Sequence, residues 1–211
     1  HPVAADGGAS TDRLAMPERF RSREPDIIVD LTDRPQYFPA HPETYAVRRA
    51  QLEDPHFEPA GARLGGAAVA ARVLLRHEPV VALLPEAHYR VRHSPEGAAD
   101  AQLVQPADYD DHFGTTHLAL LRDARRLGPP PTWLQFLLIH DLATYFLLDR
   151  GRTSPTAAMS VAECEHFLAW AARILAQVDV SALEGFAASE MVHDVRAALL
   201  ALRGAIGTPG V

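Results

Sequence analysis

The stretch Ala67 to His93, AAVAARVLLRHEPVVALLPEAHYRVRH, carries the clearest patterning in the first half of the chain. Its opening has helical spacing. Val69 and Val73 mark one line, with Ala70, Leu74 and His77 beside it. Two short apolar runs follow, 80–84 and 87–91, with turns at Glu78-Pro79 and Pro85-Glu86. The pattern predicts a helix over 67–77 and then two strands. Ile27 to Leu31 reads as another short strand, and 36–40 and 44–47 can each extend. Further on the period is helical. A helix over 109–127 is closed by Gly128 and Pro129-Pro130-Pro131. The next, over 133–150, has Thr132 as a cap and Gly151 beyond its end. It is apolar on nearly all sides, except a strip of His140, Asp141 and Thr144, as the central helix of a bundle is.

Ser160 and Glu163 form a capping-box signature before a stripe of Val161, Cys164, Phe167, Leu168, Ala171, Ile174, Leu175 and Val178. Ser181 and Glu184 repeat the signature on a short turn. A last helix over about 190–203 turns Val192, Val195, Leu199 and Leu202 inward and stops at Gly204. The predicted fold class is α+β, mostly helical. It comprises a flexible lead-in (1–25), a mixed segment (26–104), a helical bundle (105–204) and a tail (205–211). Trp133, Phe136, Leu137, Phe146, Phe167, Ile174 and Leu199 are the expected core.

Composition narrows the chemistry. The net charge of −7 argues against generic nucleic-acid binding. All 20 strongly basic residues are arginine. The absence of lysine excludes Schiff-base chemistry, pyridoxal phosphate attachment and a phosphate-loop lysine. One cysteine, Cys164, excludes an internal disulfide and a thiolate zinc cluster, and its place on the apolar stripe predicts a buried, inert thiol. The chain opens on His1, so its start is read as a processing site, a tag remnant or a cut through a longer protein. The apolar run 133–148 is too short to span a bilayer.

Three groups of polar residues are candidates for chemistry. Arg90 and Arg92 fall on one face of the predicted second strand, next to His93, where two guanidiniums can fork onto a phosphate or carboxylate. A charged edge strand that resists aggregation is the plain alternative. Asp30 and Asp33 stand before Arg34-Pro35 and read as turn residues. Asp108, Asp110 and Asp111 precede His112 and His117. Histidines five residues apart align poorly on an α-helix, so this group reads as an acidic helix start favoured by the helix dipole, not as a metal site. His140 and Asp141 are expected to hydrogen-bond to neighbours.

The ordered segments Asp30-Leu-Thr-Asp-Arg-Pro-Gln36, Thr44-Tyr-Ala-Val-Arg-Arg49, Val69-Ala-Ala-Arg-Val-Leu-Leu75 and 79–92 resemble the second half of a family-two glycosyltransferase of the A-type fold. The nearest subset is bacterial enzymes that build teichoic-acid-like surface polymers. Pro131-Thr-Trp-Leu-Gln135 and Asp141-Leu-Ala-Thr-Tyr-Phe146 resemble the opening of the helical region that follows in them. Phe186 and Val195-Arg-Ala-Ala-Leu-Leu200 resemble its close. The resemblance covers about residues 27–203, and it places Arg90 and Arg92 at the family's basic positions. It also exposes departures. The nucleotide-binding half with its metal-binding aspartates has no counterpart in 1–26. The Glu-Asp pair that supplies the general base falls on Gly65 and Gly66, which cannot accept a proton. After the basic strand, the hydroxyl-rich segment is replaced by 96–101, with Ser94 kept.

The resemblance therefore implies a fragment or degenerate member of such a transferase, inactive alone, with no catalytic residues of its own. The phosphate-contacting candidates are Arg90, Arg92 and His93. No cofactor is expected, and a divalent metal only if a nucleotide-binding half is supplied elsewhere. Such a half, or a polyprenyl-linked or polymer acceptor, would be the partner. A working subunit that borrows its nucleotide half is a further reading, and a non-catalytic helical interaction or structural module is the alternative. The expected location is cytoplasmic, or peripheral at the inner membrane face.

Overall fold

A computed structural model describes residues 27–40, 45–52, 66–83, 105–149, 155–187 and 191–205. The described chain is mostly helical, with one two-stranded sheet. Strand β1 (Ile27–Asp30) pairs antiparallel with β2 (Val80–Leu83), in the register Ile27↔Leu83 to Asp30↔Val80. The strand period of two is plain: Val29 is buried and Ile28 is exposed. Asp30 accepts hydrogen bonds from the Thr32 amide and hydroxyl, at 2.8 and 2.6 Å, so it is a turn residue as its spacing predicts.

Between the strands lie α1 (Arg49–Leu52) and α2 (Gly66–Arg76). The extended run expected at 36–40 is instead a 3-10 turn over Pro35–Tyr37. Proline presets the helical φ at the first position of that turn. The turn drives Phe38, fully buried, against the long helix α4. On α2, Ala68, Ala71 and Leu74 face the core and the helix packs on α3.

The helical part runs from a π-helix (Asp110–His117) into α3 (Leu118–Leu127), then α4 (Thr132–Asp149), α5 (Val161–Leu175), α6 (Val180–Glu184) and α7 (His193–Ala205). Gly128 closes α3 at φ 153°, which side-chain-bearing residues rarely adopt, and the prolines after it prevent continuation. Helix α4 is the central helix. Trp133, Leu134, Leu138, Ile139 and Leu142 are all buried. Of the expected core, Phe146 is half-buried, and the other residues named are buried.

Two polar devices fasten the helices. Gln135 on α4, read from the sequence as part of an apolar surface, is 2% exposed and fully engaged. Its amide nitrogen donates to the Pro130 carbonyl (2.9 Å) and Asp179 Oδ2 (2.8 Å), and its oxygen accepts from the Asp179 amide (2.7 Å). Asp179, not Ser181, stands at the start of α6. On α7, Arg196 donates to the carbonyls of Leu183, Glu184 and Phe186, which are orphaned where α6 ends.

The capping box of α5 is formed as predicted. Glu163 N–H donates to Ser160 Oγ, and the Ser160 amide donates to Glu163 Oε2 at 2.7 Å. The stripe behind it begins later than its spacing implies. Val161 is 76% exposed and Cys164 is half-buried; Phe167, Ala171, Ile174, Leu175 and Val178 are buried, and Leu168 between them is exposed. The first turn of α5 stands in solvent, and periodicity alone does not tell where a helix meets its neighbour. Val192 is likewise exposed, just ahead of α7. No helix among the described residues is long and apolar enough to cross a membrane.

Candidate metal centre

The segment 110–117, Asp-Asp-His-Phe-Gly-Thr-Thr-His, is built against the α-helix at several points. Gly114 lowers helix propensity at its centre. Thr115 and Thr116 are β-branched, and both hydroxyls reach the Asp111 carbonyl, which an α-turn would bond through an amide. The segment adopts the wider π-helix, and the Leu118 amide closes it on the Phe113 carbonyl, five residues back.

This changes where the histidines point. On an α-helix, residues five apart lie about 140° from each other around the axis. In a π-helix they fall one turn apart, on the same side. His112 and His117 therefore stand together, with ring centroids 4.6 Å apart. The expectation that they do not align holds for the α-helix and is overturned by the π-helix.

Both rings meet Asp141 of α4. His112 Nε2 lies 3.0 Å and His117 Nε2 2.9 Å from the same oxygen, Oδ2. Each of the three residues offers one ligand atom, and all three atoms lie within 4.8 Å of one another. The side chains of His117, His112 and Asp141 are 6%, 16% and 37% exposed, so the pair of rings is sheltered and the carboxylate is partly exposed. Phe113 closes one side, with its ring centroid 4.8 Å from His112 and 5.3 Å from His117.

Burial alone would raise the Asp141 carboxyl. The two histidine hydrogen bonds, reinforced by the charges on those rings, outweigh that and hold it far below the ordinary carboxylate range. Asp141 is therefore an acceptor only. His117 Nδ1 lies 2.9 Å from the His112 carbonyl, which also can only accept. The ring meets both acceptors in two ways: with a proton on each nitrogen, or with Nδ1–H donating while a cation replaces the Nε2 proton. The second state is the usual one for a metal-bound histidine, whose other nitrogen is held by a carbonyl or carboxylate.

The spacing suits an ion. Ligand atoms ~2.1 Å from a metal are about 3.0 Å apart at right angles and about 3.4 Å apart at tetrahedral angles. The observed 2.9 and 3.0 Å are hydrogen-bond lengths that also lie near the right-angle spacing of ligands around a six-coordinate ion. A donor set of two imidazoles and one carboxylate suits iron(II), cobalt(II), manganese(II) or zinc(II).

Asp110 has a separate role. Its Oδ1 lies 2.8 Å from Trp170 Nε1 and 2.8 Å from His166 Nε2, both on α5. His140, neighbour of Asp141, is buried edge-on to Phe38 at 5.8 Å. Arg90, Arg92 and His93, together with the strand predicted at 87–91 and the position of Gly65, lie outside the described residues. Gly66 is the first residue of α2. Asp141 as partner of the two histidines had no local signal in the sequence, since 24 and 29 residues separate it from them. The sequence matches no protein-family model, no curated protein and no solved structure.

Proposed function

We propose that the helical part of this chain is a metal-binding domain that holds one divalent transition-metal ion at His112, His117 and Asp141. The observation that carries this is the convergence of two imidazole Nε2 atoms on a single carboxylate oxygen, with Nδ1 of His117 already held by a carbonyl. Three protein ligands leave coordination positions for water or a substrate oxygen, as in catalytic rather than closed structural sites. A bound ion would polarise such an oxygen. His117 and Asp141 would fix the ion, and Phe113 would exclude water from one side. Reconstitution of the full chain with cobalt(II), manganese(II), iron(II) or zinc(II), followed by metal analysis, tests this. One ion per chain is expected, with none retained by His117→Ala. Equal metal content in parent and variant would defeat the proposal.

The second reading is the glycosyltransferase relationship, supported by the order and spacing of the resembling segments. On it, the chain is a fragment or degenerate member tied to bacterial surface-polymer synthesis, and Arg90, Arg92 and His93 contact phosphate. A base at the acceptor hydroxyl contributes about 10²–10⁴-fold to such a transfer, and Gly65 and Gly66 supply none. Incubation of the chain with nucleotide sugars and manganese is expected to give no transfer, even with Glu at 65 and Asp at 66. Turnover by the parent chain would show that it is a complete enzyme. The alternative, a helical interaction module without a small-molecule site, predicts neither metal uptake nor nucleotide-sugar binding.

A further inference from the structure

The face of the π-helix turned away from Asp141 carries a second arrangement, on Trp170 of α5. A Cβ placed on Gly114 would meet Trp170 Cη2 at 2.9 Å, so the indole edge occupies space that only glycine leaves open. The same indole donates from Nε1 to Asp110 Oδ1 at 2.8 Å, in contact also with His166 Nε2 at 3.0 Å. Arg173 covers its face, 4.4 Å from the ring centroid. The start and the middle of the π-helix are thus both seated on one side chain. Its far end is fixed differently: it runs directly into α3, whose Ala119, Leu120, Leu121 and Ala124 are buried.

A π-helix takes up more residues per turn than an α-helix and is rare, so contacts from outside the segment are needed to favour it. We infer that Trp170, seated on Gly114 and bonded to Asp110, is a positioning residue of the His112–His117–Asp141 site. It pins the start of the segment to α5, alongside Tyr109 and Phe113 buried in the core, while the core also holds α3 and leaves the surplus residue no exit. This rests on the metal reading above for its consequence at the site. The register itself stands apart from that reading. Removing the pin lets the segment slip toward α-helical closure, with Leu118 N–H passing from the Phe113 carbonyl to that of Gly114. His112 and His117 then diverge by about 140° and cannot share one ion. Trp170 lies beyond the ligands, so a partly populated slip weakens binding rather than abolishing it, by about the 10- to 100-fold that loss of a supporting contact costs.

The test compares parent, Trp170→Ala, Trp170→Phe and Gly114→Ala as full-length chains. Far-UV circular dichroism checks that each is folded. Through-hydrogen-bond NMR couplings from the Leu118 amide report the register in the metal-free state, and cobalt(II) absorption reports the site. Trp170→Ala is expected to lose the coupling to Phe113 and to bind cobalt(II) about 10- to 100-fold more weakly. Trp170→Phe keeps a ring but loses the Nε1 bond to Asp110 and the Cη2 edge at Gly114, so it should be impaired nearly as much as Trp170→Ala. Gly114→Ala, which displaces the indole without removing it, should fall between parent and Trp170→Ala. Trp170→Ala with the Phe113 coupling intact, or with parental cobalt(II) affinity, overturns the inference. A parent that shows the Phe113 coupling but binds no cobalt(II) overturns the metal reading and with it the role at the site. The pin is then decided by the register of Trp170→Ala alone.

Discussion

At the scale of single residues, Asp141 and Gln135 show the two ways this helical core accommodates polarity. Asp141, partly exposed on α4, keeps an ionised carboxylate because two imidazoles point at one of its oxygens. Removing that acceptor leaves two largely buried rings facing each other. Asp141→Ala, studied without metal by urea unfolding, is therefore expected to lose about 1–2 kcal/mol, limited by the 37% exposure of the carboxylate. Gln135 has no such outlet to solvent. Gln135→Ala strands the Asp179 amide and the Pro130 carbonyl where α4 meets α6, and should cost about 1–3 kcal/mol in the same measurement. An unchanged unfolding midpoint for Gln135→Ala would mean that water replaces its bonds. Neither residue's partnership was legible in the sequence. Which neighbours Asp141 bonds depends on the meeting of two helices, and Gln135 stands in a run whose surrounding residues are apolar.

At the scale of elements, caps and stops were legible in part: Thr132 is already helical, α6 starts at Asp179 and not Ser181, and α7 runs through Gly204, where a stop is expected. Ser160 and Glu163, Gly128 before its prolines, and the turn at Glu78-Pro79 all act where their spacing places them. The capping box gives a pH prediction. Hydrogen bonds from the Ser160 hydroxyl and amide hold the Glu163 carboxyl below its ordinary value. A group depressed on folding contributes stability above its unfolded pKa, and that contribution is lost as pH falls through the folded value. The stability difference between parent and Glu163→Gln should therefore be full near neutral pH and shrink below about pH 4. A difference that grows on acidification would contradict the capping geometry. Ser160→Ala should cost about 0.5–2 kcal/mol at neutral pH. The π-helix was not legible. Its glycine, threonines and histidines each weaken an α-helix slightly, but the choice of the wider helix is made by what flanks the segment, α5 on one side and Asp141 on the other.

At the scale of the whole molecule, β1, the turn at Phe38 and α2 share one apolar core with the long helices. The balance of elements, mostly helical with a few strand residues, follows from the change of hydrophobic period along the chain. Trp133 and Phe167 lie inside this core, and truncation of either to alanine should cost about 3–5 kcal/mol and lower the unfolding midpoint accordingly. The site sits between the π-helix and α4, so its geometry reports on how well that core is assembled.

The central claim is that His112, His117 and Asp141 hold one metal ion through both Nε2 atoms. Long-range ¹H–¹⁵N spectra of the histidine rings, recorded as zinc(II) is added to the full chain, test it most directly. The account predicts that the Nε2 resonances of His112 and His117 move together and saturate at one equivalent, while Nδ1 of His117 keeps its proton and its bond to the His112 carbonyl. Rings that stay unchanged through the titration, or that bind through Nδ1 of His117, would contradict it.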